Sequence, residues 1–447
     1  MKIRQCASVT FWVLAASVVP AQDPCGEWSV FSTPDPGDTT HAVIQDITFI
    51  APDDVWAVGD FQSVINGVYA SLALSMHWDG QGWSRIDTPQ PSPCPTCTYV
   101  SMLAVDGTGP NDVWAVGHQR IQAPDGFTGT HILVMHWDGA QWQVMQTPVQ
   151  AGASGDILSA VVAIAPDDVW FFGENLYSGS PLLLDLAIAM HWDGSGFEFV
   201  PMPIVNFQSS GFGDGNSIRA ASALASDDIW AVGAGGDGDS LSCNLSQIHH
   251  WDGQSWTHIP AQAPDGCFWH SLDAVFALAP DDVWVGGEKF DGGYAGLALH
   301  WDGATWTEHP IPIGVTDFHA FAGDDVYAVG GGVAHWDGHS WTVVETFPTV
   351  FGAALFGVDA YGPCGLWAGG RRLTDDGMLT FASRLDPSAP TADVDGDGDV
   401  DISDLALLLG TFGLCSADAA YNANADFDGS GCIELGDLAV LLANFGG

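Results

Sequence analysis

The sequence predicts an all-β fold, a seven-bladed β-propeller closed by its own N-terminal strand, followed by a small α-helical calcium-binding domain. Three observations carry that expectation. Residues 53–89 form a unit that is written repeatedly along the chain, with a period of roughly 40 to 60 residues. Within each unit, short period-2 apolar runs alternate with turn signals, four runs to a unit. Finally, the strands at the two ends of the array add up to one complete unit.

The first unit opens with Asp53-Asp54-Val55-Trp56-Ala57-Val58-Gly59, reaches His77-Trp78-Asp79-Gly80 and closes from Trp83. Its opening recurs around Trp114, Trp170, Trp230, Trp284, Tyr327 and Trp367, and its middle at His136, His191, His250, His300 and His335. Strands are expected at 47–50, 55–59, 72–78 and 83–88, with a variable loop between the second and third. Four antiparallel strands per repeat make a propeller blade. The last unit runs out near 379–385 without its fourth strand. Gly26-Glu27-Trp28-Ser29-Val30-Phe31 matches that missing strand, so the N-terminus is expected to complete blade seven and leave no bare edge.

Composition narrows the function. Acidic residues number 55 against 9 Lys and Arg, a net charge of −46. Phosphate-binding surfaces need clustered cations, so nucleic acid and anionic membranes are excluded as partners. Residues 1–21 read as a secretory signal: Lys2 and Arg4, an apolar run over 9–19, then Val19-Pro20-Ala21. No later stretch has the apolar length of a membrane span, so a secreted product with the propeller over 22–386 is expected. Eight cysteines follow the signal, which in an exported chain suggests disulfides. The repeat frame brings Cys25 towards Cys364 and Cys243 towards Cys267. Cys94 and Cys97 form a CxxC that is open to a disulfide, redox or zinc reading.

Eighteen tryptophans hold fixed repeat positions, and with the six repeated histidines they read as packing. Binding is expected on the opposite face, where loops vary. The residues after the second-strand glycines are Asp60, His118, Glu174, Ala234, Glu288, Gly331 and Arg371. In register they would ring the channel mouth, as a polar ligand site or as solvated loop starts. Trp269 and His270, in a loop between blades four and five, suit a sugar or peptide, or local packing. No nucleophile elbow, HExxH or P-loop is present. Two readings stand: a non-catalytic binding or scaffold propeller, or a carbohydrate-active hydrolase or lyase. The Asp-Gly-x-x-Trp turn resembles the Asp-box of sialidase-type propellers, one residue short, which in those families is structural.

After a linker at 387–392 the composition changes. Asp393, Asp395, Asp397, Asp399, Asp401 and Asp404 surround Gly398 with oxygen donors at positions 1, 3, 5, 9 and 12 and a backbone carbonyl at 7, the spacing of a calcium loop. The pattern returns 33 residues later with Asp426, Asp428, Ser430, Cys432, Glu434 and Asp437, and a Leu-rich helix follows each loop. Residues 393–447 therefore resemble a type I dockerin, with Asp at position 12 of both loops. The resemblance implies two Ca²⁺ ions and a cohesin-like or cell-surface partner. Ile402-Ser403 and Leu435-Gly436 stand where that family carries hydroxyl pairs. Cys415 and Cys432 are expected to cross-link the module.

Overall fold

The computed structural model describes residues 26–34, 41–65, 67–89, 99–122, 128–148, 155–176, 184–205, 214–236, 247–261, 269–290, 292–347, 353–360, 365–374, 377–387, 392, 394–395, 400–415, 418, 420–427, 432–443 and 445. Residues 1–21, where a signal is expected, and Cys25, Cys94, Cys97, Cys243, Cys267 and Cys364 lie outside them.

Alternating apolar residues give four antiparallel strands, and the pattern is repeated along the chain. In the first unit Ala42–Ala51, Asp54–Ile65, Val68–Trp78 and Trp83–Arg85 pair in chain order. Equivalent units begin at Tyr99–Gly109, Gly155–Ala165, Asp214–Ala225, Trp269–Ala279 and Val315–Ala322. The last comprises Ala353–Ala360, Leu366–Thr374 and Gly377–Pro387. Its fourth strand is Gly26–Phe31, paired antiparallel with Trp28 opposite Leu385. The inner three strands outrun the sequence expectation, because the ladder of the second and third continues to the pair Ile65↔Val68. Much of the expected variable loop is therefore hairpin.

Much of the side-chain packing joins one unit to the next. Trp56 and Val58 of the first unit join Val105, Leu133 and Trp142 of the second. Further cores repeat this arrangement around the array, and one brings Trp367 and Ala382 of the last unit against Ile44, Leu74 and Trp78 of the first. On the outer strands, Phe31 rings lie 5.1 Å from Trp78 and 5.0 Å from Trp367. Ring pairs between units, such as Trp56–Trp137 at 4.9 Å and Trp284–Trp336 at 5.3 Å, each add about 0.5–1.5 kcal/mol beyond burial and explain the fixed tryptophan positions.

Each unit's first strand carries a bulge, for example between Ile44 and Asp46 and between Met102 and Ala104. The bulge drives a carbonyl against the second strand. A Cβ at Gly59 or Gly117 would sit 2.0 Å from Val43 O or Ser101 O, so only glycine fits there. On the opposite end Gly80 takes φ +86 beside Asp53, which places the first-to-second and third-to-fourth turns together.

The C-terminal module has its own core of Val394, Val400, Leu408, Ile433 and Leu441. It contains α1 (Ile402–Thr411) and α2 (Leu435–Ala443). Asp401 caps α1 through Ser403 N–H while Asp404 reaches back to Asp401 N–H, a reciprocal capping box. The expected Cys415–Cys432 disulfide is formed. Among the described residues no helix is long and apolar enough to cross a membrane.

Candidate functional site

The first strands of the units line a central cavity of about 770 Å³. Its wall carries four carboxyls, Asp46, Asp106, Asp317 and Asp359, together with His319 and the Arg219–Asp273 ion pair. The bulges create this polarity. Each aspartate accepts the N–H of the residue after it and, with its second oxygen, an N–H from the next unit. Asp46 takes Ile47 at 2.8 Å and Val105 at 2.9 Å. Asp106 takes Gly107 at 2.7 Å and Ala163 at 2.8 Å. Asp317 takes Phe318 at 2.8 Å and Val358 at 2.9 Å, and Asp359 takes Ala360 and Phe49, both at 2.8 Å. Ser222 makes the corresponding bond from Ala277 N at 3.1 Å.

Asp46, Asp106 and Asp317 lie deep among the sheets, so their charged forms are disfavoured. Burial pushes Asp106 and Asp317 up to about 7, against the opposing pull of their N–H donors. Asp46 is raised well above the usual carboxylate range by burial and then by the charge of Asp317. The two flank the last unit's Gly357, where a Cβ would come within 2.6 Å of Asp46 Oδ1; Asp317 binds the adjoining Val358 N–H. His319 Nδ1 lies 3.1 Å from Asp359 Oδ1.

A folded value above the unfolded value, about 3.9, has a definite sign. The stabilisation is complete below about pH 4 and is lost as pH climbs through about 7, by on the order of 4 kcal/mol per group at most. The melting temperature of the β-array should therefore fall between pH 5 and 8. Asp106→Asn should flatten that slope, and an unchanged slope would show that the cavity carboxyls are not its source.

The sequence-selected residues do not line this cavity. Asp60, His118, Glu174, Ala234, Glu288 and Arg371 do share one register position, opposite Val43, Ser101, Ile157, Ser217, Ser271 and Ala354. That position is on the second strand, one strand spacing outside the wall. Gly331 follows its strand, exposed. Asp60 is buried and ties two units together by accepting Ser71 and Ser101 hydroxyls, each at 3.0 Å. His118 stacks on Tyr99 with ring centroids 5.2 Å apart, and burial lowers its pKa. The Arg371 guanidinium lies 5.2 Å from the Phe356 ring.

Trp269 and His270 are not loop residues. They open the strand Trp269–Ala279, paired with Phe290 and Lys289, because the ladder extends beyond the apolar run that marked it. Burial pushes His270 down to about 4, so it is neutral.

The repeated histidines complete a different arrangement. His77, His136, His191, His250, His300 and His335 place Nε2 2.7–2.8 Å from the first aspartate of the second strand in their own units, Asp54 through Asp325. Sequence reasoning missed the cavity carboxyls because each position carries aspartate in only two units: that of Asp46 is Asp317 in one other unit and Ala104, Ala160, Ala220, Ala274 and Gly357 elsewhere. Departures from the repeat on the first strand were the available signal.

In the C-terminal module, Asp404 is fully buried and accepts Val394, Asp395 and Asp401 N–H at 2.7, 3.2 and 2.8 Å. Against the upward push of burial, those donors hold it below the usual carboxylate range. Asp437 repeats the arrangement with Phe427 at 2.6 Å and Glu434 at 2.8 Å. Asp395, Asp401, Asp426, Cys432 and Glu434 surround these two centres. Asp393, Asp397, Asp399, Asp428 and Ser430 lie outside the described residues. Among the described residues no three His, Cys, Asp or Glu side chains converge as a ready metal cage.

Fold and cavity together define an all-β protein of the β-propeller type. A PL25 ulvan lyase, solved bound to a GlcA–Rha3S chain, resembles it with a TM-score of 0.50 at 10% identity, over 80% of this chain and 96% of that one. YCF48 from Cyanidioschyzon merolae gives 0.47 at 16% identity, over 80% and 98%. A GH74 enzyme from Niastella koreensis gives 0.45 at 12%, over 77% of this chain and 52% of the enzyme. No protein-family model matches the sequence, and no curated protein does so.

Proposed function

We propose that this chain is an exported, glycan-directed, seven-bladed propeller, closed by its N-terminal strand and acting on polysaccharide as a hydrolase or lyase. The observation that carries the reading is the Asp46–Asp317 pair flanking Gly357 in a solvent-filled cavity. Like charges so placed cannot both ionise easily, so the pair holds a proton near neutral pH. A carboxyl poised in this way can donate a proton to a leaving glycosidic oxygen or withdraw one from the sugar. A propeller closed on its first strand holds the two carboxyls on the rigid blades either side of the one that carries Gly357.

Asp317→Asn should cut turnover of a responsive polysaccharide about 10²–10⁴-fold while binding persists. Equal turnover by the variant would remove the pair from the mechanism. One observation favours a second reading, that of a non-catalytic binding or scaffold propeller: every cavity carboxyl already accepts two backbone N–H groups, as an inter-blade clamp does. Binding without turnover across a polysaccharide panel would establish it.

In the same proposal, residues 393–447 form a dockerin-like module that holds two Ca²⁺ ions and attaches the propeller to a cohesin-like or cell-surface protein. Exposed Ile402, Leu409 and Phe412 on the first helix recur 33 residues later as exposed Leu435, Leu442 and Phe445, giving that partner an apolar surface. Cleavage of residues 1–21 on export and the linker at 387–392 complete the proposed organisation.

A further inference from the structure

The end of the array that carries the short turns looks purely architectural in sequence, yet it contains the same cleft at two junctions. Between the first and second units a cleft of about 650 Å³ is walled by Asp54, Trp56 and His77 on one side and Pro110, Trp137 and Gly139 on the other. Between the third and fourth, one of about 740 Å³ is walled by Asp168, Trp170 and His191, facing Ser226, Trp251 and Gly253. These residues are equivalent position by position, and the floors are Ile86 and Val200. Asp54 Oδ1 receives both His77 Nε2 and Trp56 Nε1 at 2.8 Å, and Asp168 Oδ1 receives His191 and Trp170 at 2.8 and 3.0 Å. In each, the hydrogen bonds hold Oδ1 and leave Oδ2 as an acceptor. The indoles of Trp137 and Trp251 are half-buried, held by donating to Pro110 O at 3.2 Å and Ser226 O at 3.1 Å.

We infer that these clefts are repeated binding sites for neutral sugar residues of a glycan chain, separate from the central cavity. Each has the volume of a small-ligand pocket. Each offers an aromatic wall for the apolar face of a pyranose, and a fixed carboxylate and imidazole for its hydroxyls. Neither cleft is lined by Lys or Arg, and Asp53 and Asp167 add negative charge at their edges, so acidic sugars are repelled. Repetition matters because one polymer engaging two clefts gains avidity without new contacts. In the last unit Arg384 takes the place of the histidine and lies 5.8 and 5.3 Å from the Trp78 and Trp367 rings, so that junction is filled by its own side chain.

The inference rests on the glycan-directed reading for its ligand class, and its test separates the two. Neutral cello-, xylo- and manno-oligosaccharides would be titrated into the full chain by calorimetry, alongside an oligouronate. At least two equivalent sites per chain are expected for one neutral series and none for the oligouronate. Pro110→Trp and Ser226→Trp, on exposed positions, plug one cleft each. Each should remove one site with Tm unchanged, and the double variant should lose about tenfold or more in apparent affinity for the polymer. Asp317→Asn should abolish turnover yet keep the full stoichiometry. A single site, sites indifferent to both plugs, or binding of the oligouronate in the clefts would overturn the inference. Lost turnover in the plugged variants would do so too, since it would make the clefts part of the cavity's site.

Discussion

Deleting residues 26–34 is expected to lower the melting temperature of the β-array by at least about 10 °C, read by calorimetry on the full chain. The deletion removes six ladder pairs and leaves the edge of Gly377–Pro387 bare. It also removes Phe31, which sits against Trp78, Trp367 and the Arg384 guanidinium, the last at 5.0 Å from its ring. Truncating such an aromatic in a core costs about 3–5 kcal/mol, and each kcal/mol moves Tm by roughly 2–4 °C in a large domain. Phe31→Ala alone should therefore reproduce much of the effect. Unchanged melting of the deletion would mean that the strand merely lies against the array, and proposed closure by the N-terminus would fall with it.

The second large effect concerns calcium. Chelation should lower the melting of the C-terminal module without moving that of the β-array. An ion held only by the folded state stabilises it by linkage, about 4 kcal/mol when present at a thousand times its dissociation constant. Asp404→Ala should reduce the module's calcium-dependent stabilisation to what the second loop supplies. It also strands the N–H groups of Val394, Asp395 and Asp401, adding about 1–3 kcal/mol of unsatisfied-donor cost for each one left without a partner. Metal-independent melting in the unaltered protein would overturn the two-site assignment, whereas Asp437→Ala separates the second loop from the first.

Legibility followed repetition. Trp56, His77 and the Asp79-Gly80 turn announced themselves because the same backbone geometry is needed in unit after unit, so the same chemistry is written each time. The second-strand glycine was visible for the same reason, although its cause, a bulged carbonyl 2.0 Å from where a Cβ would be, is a tertiary fact. Asp404 and Asp437 were picked out by the spacing of the duplicated acidic loops, which is local in sequence, and both are buried.

The cavity was not legible. Asp46 and Asp317 are 271 residues apart in the chain and stand alone in their strands, among positions otherwise held by alanine or glycine. Only the arrangement of the first strands sets them on either side of Gly357. Similarly, the ring expected after the second-strand glycines keeps its register but misses the wall, because strand order is not a property of any single repeat. The sequence by itself determined four-stranded units, their tryptophan-based packing and a duplicated acid-rich tail, all of which depend on local periodicity. The tertiary structure alone decided which carboxyls meet, which histidines are spent on aspartates and which turns enclose a cleft, because those outcomes depend on how the units face one another.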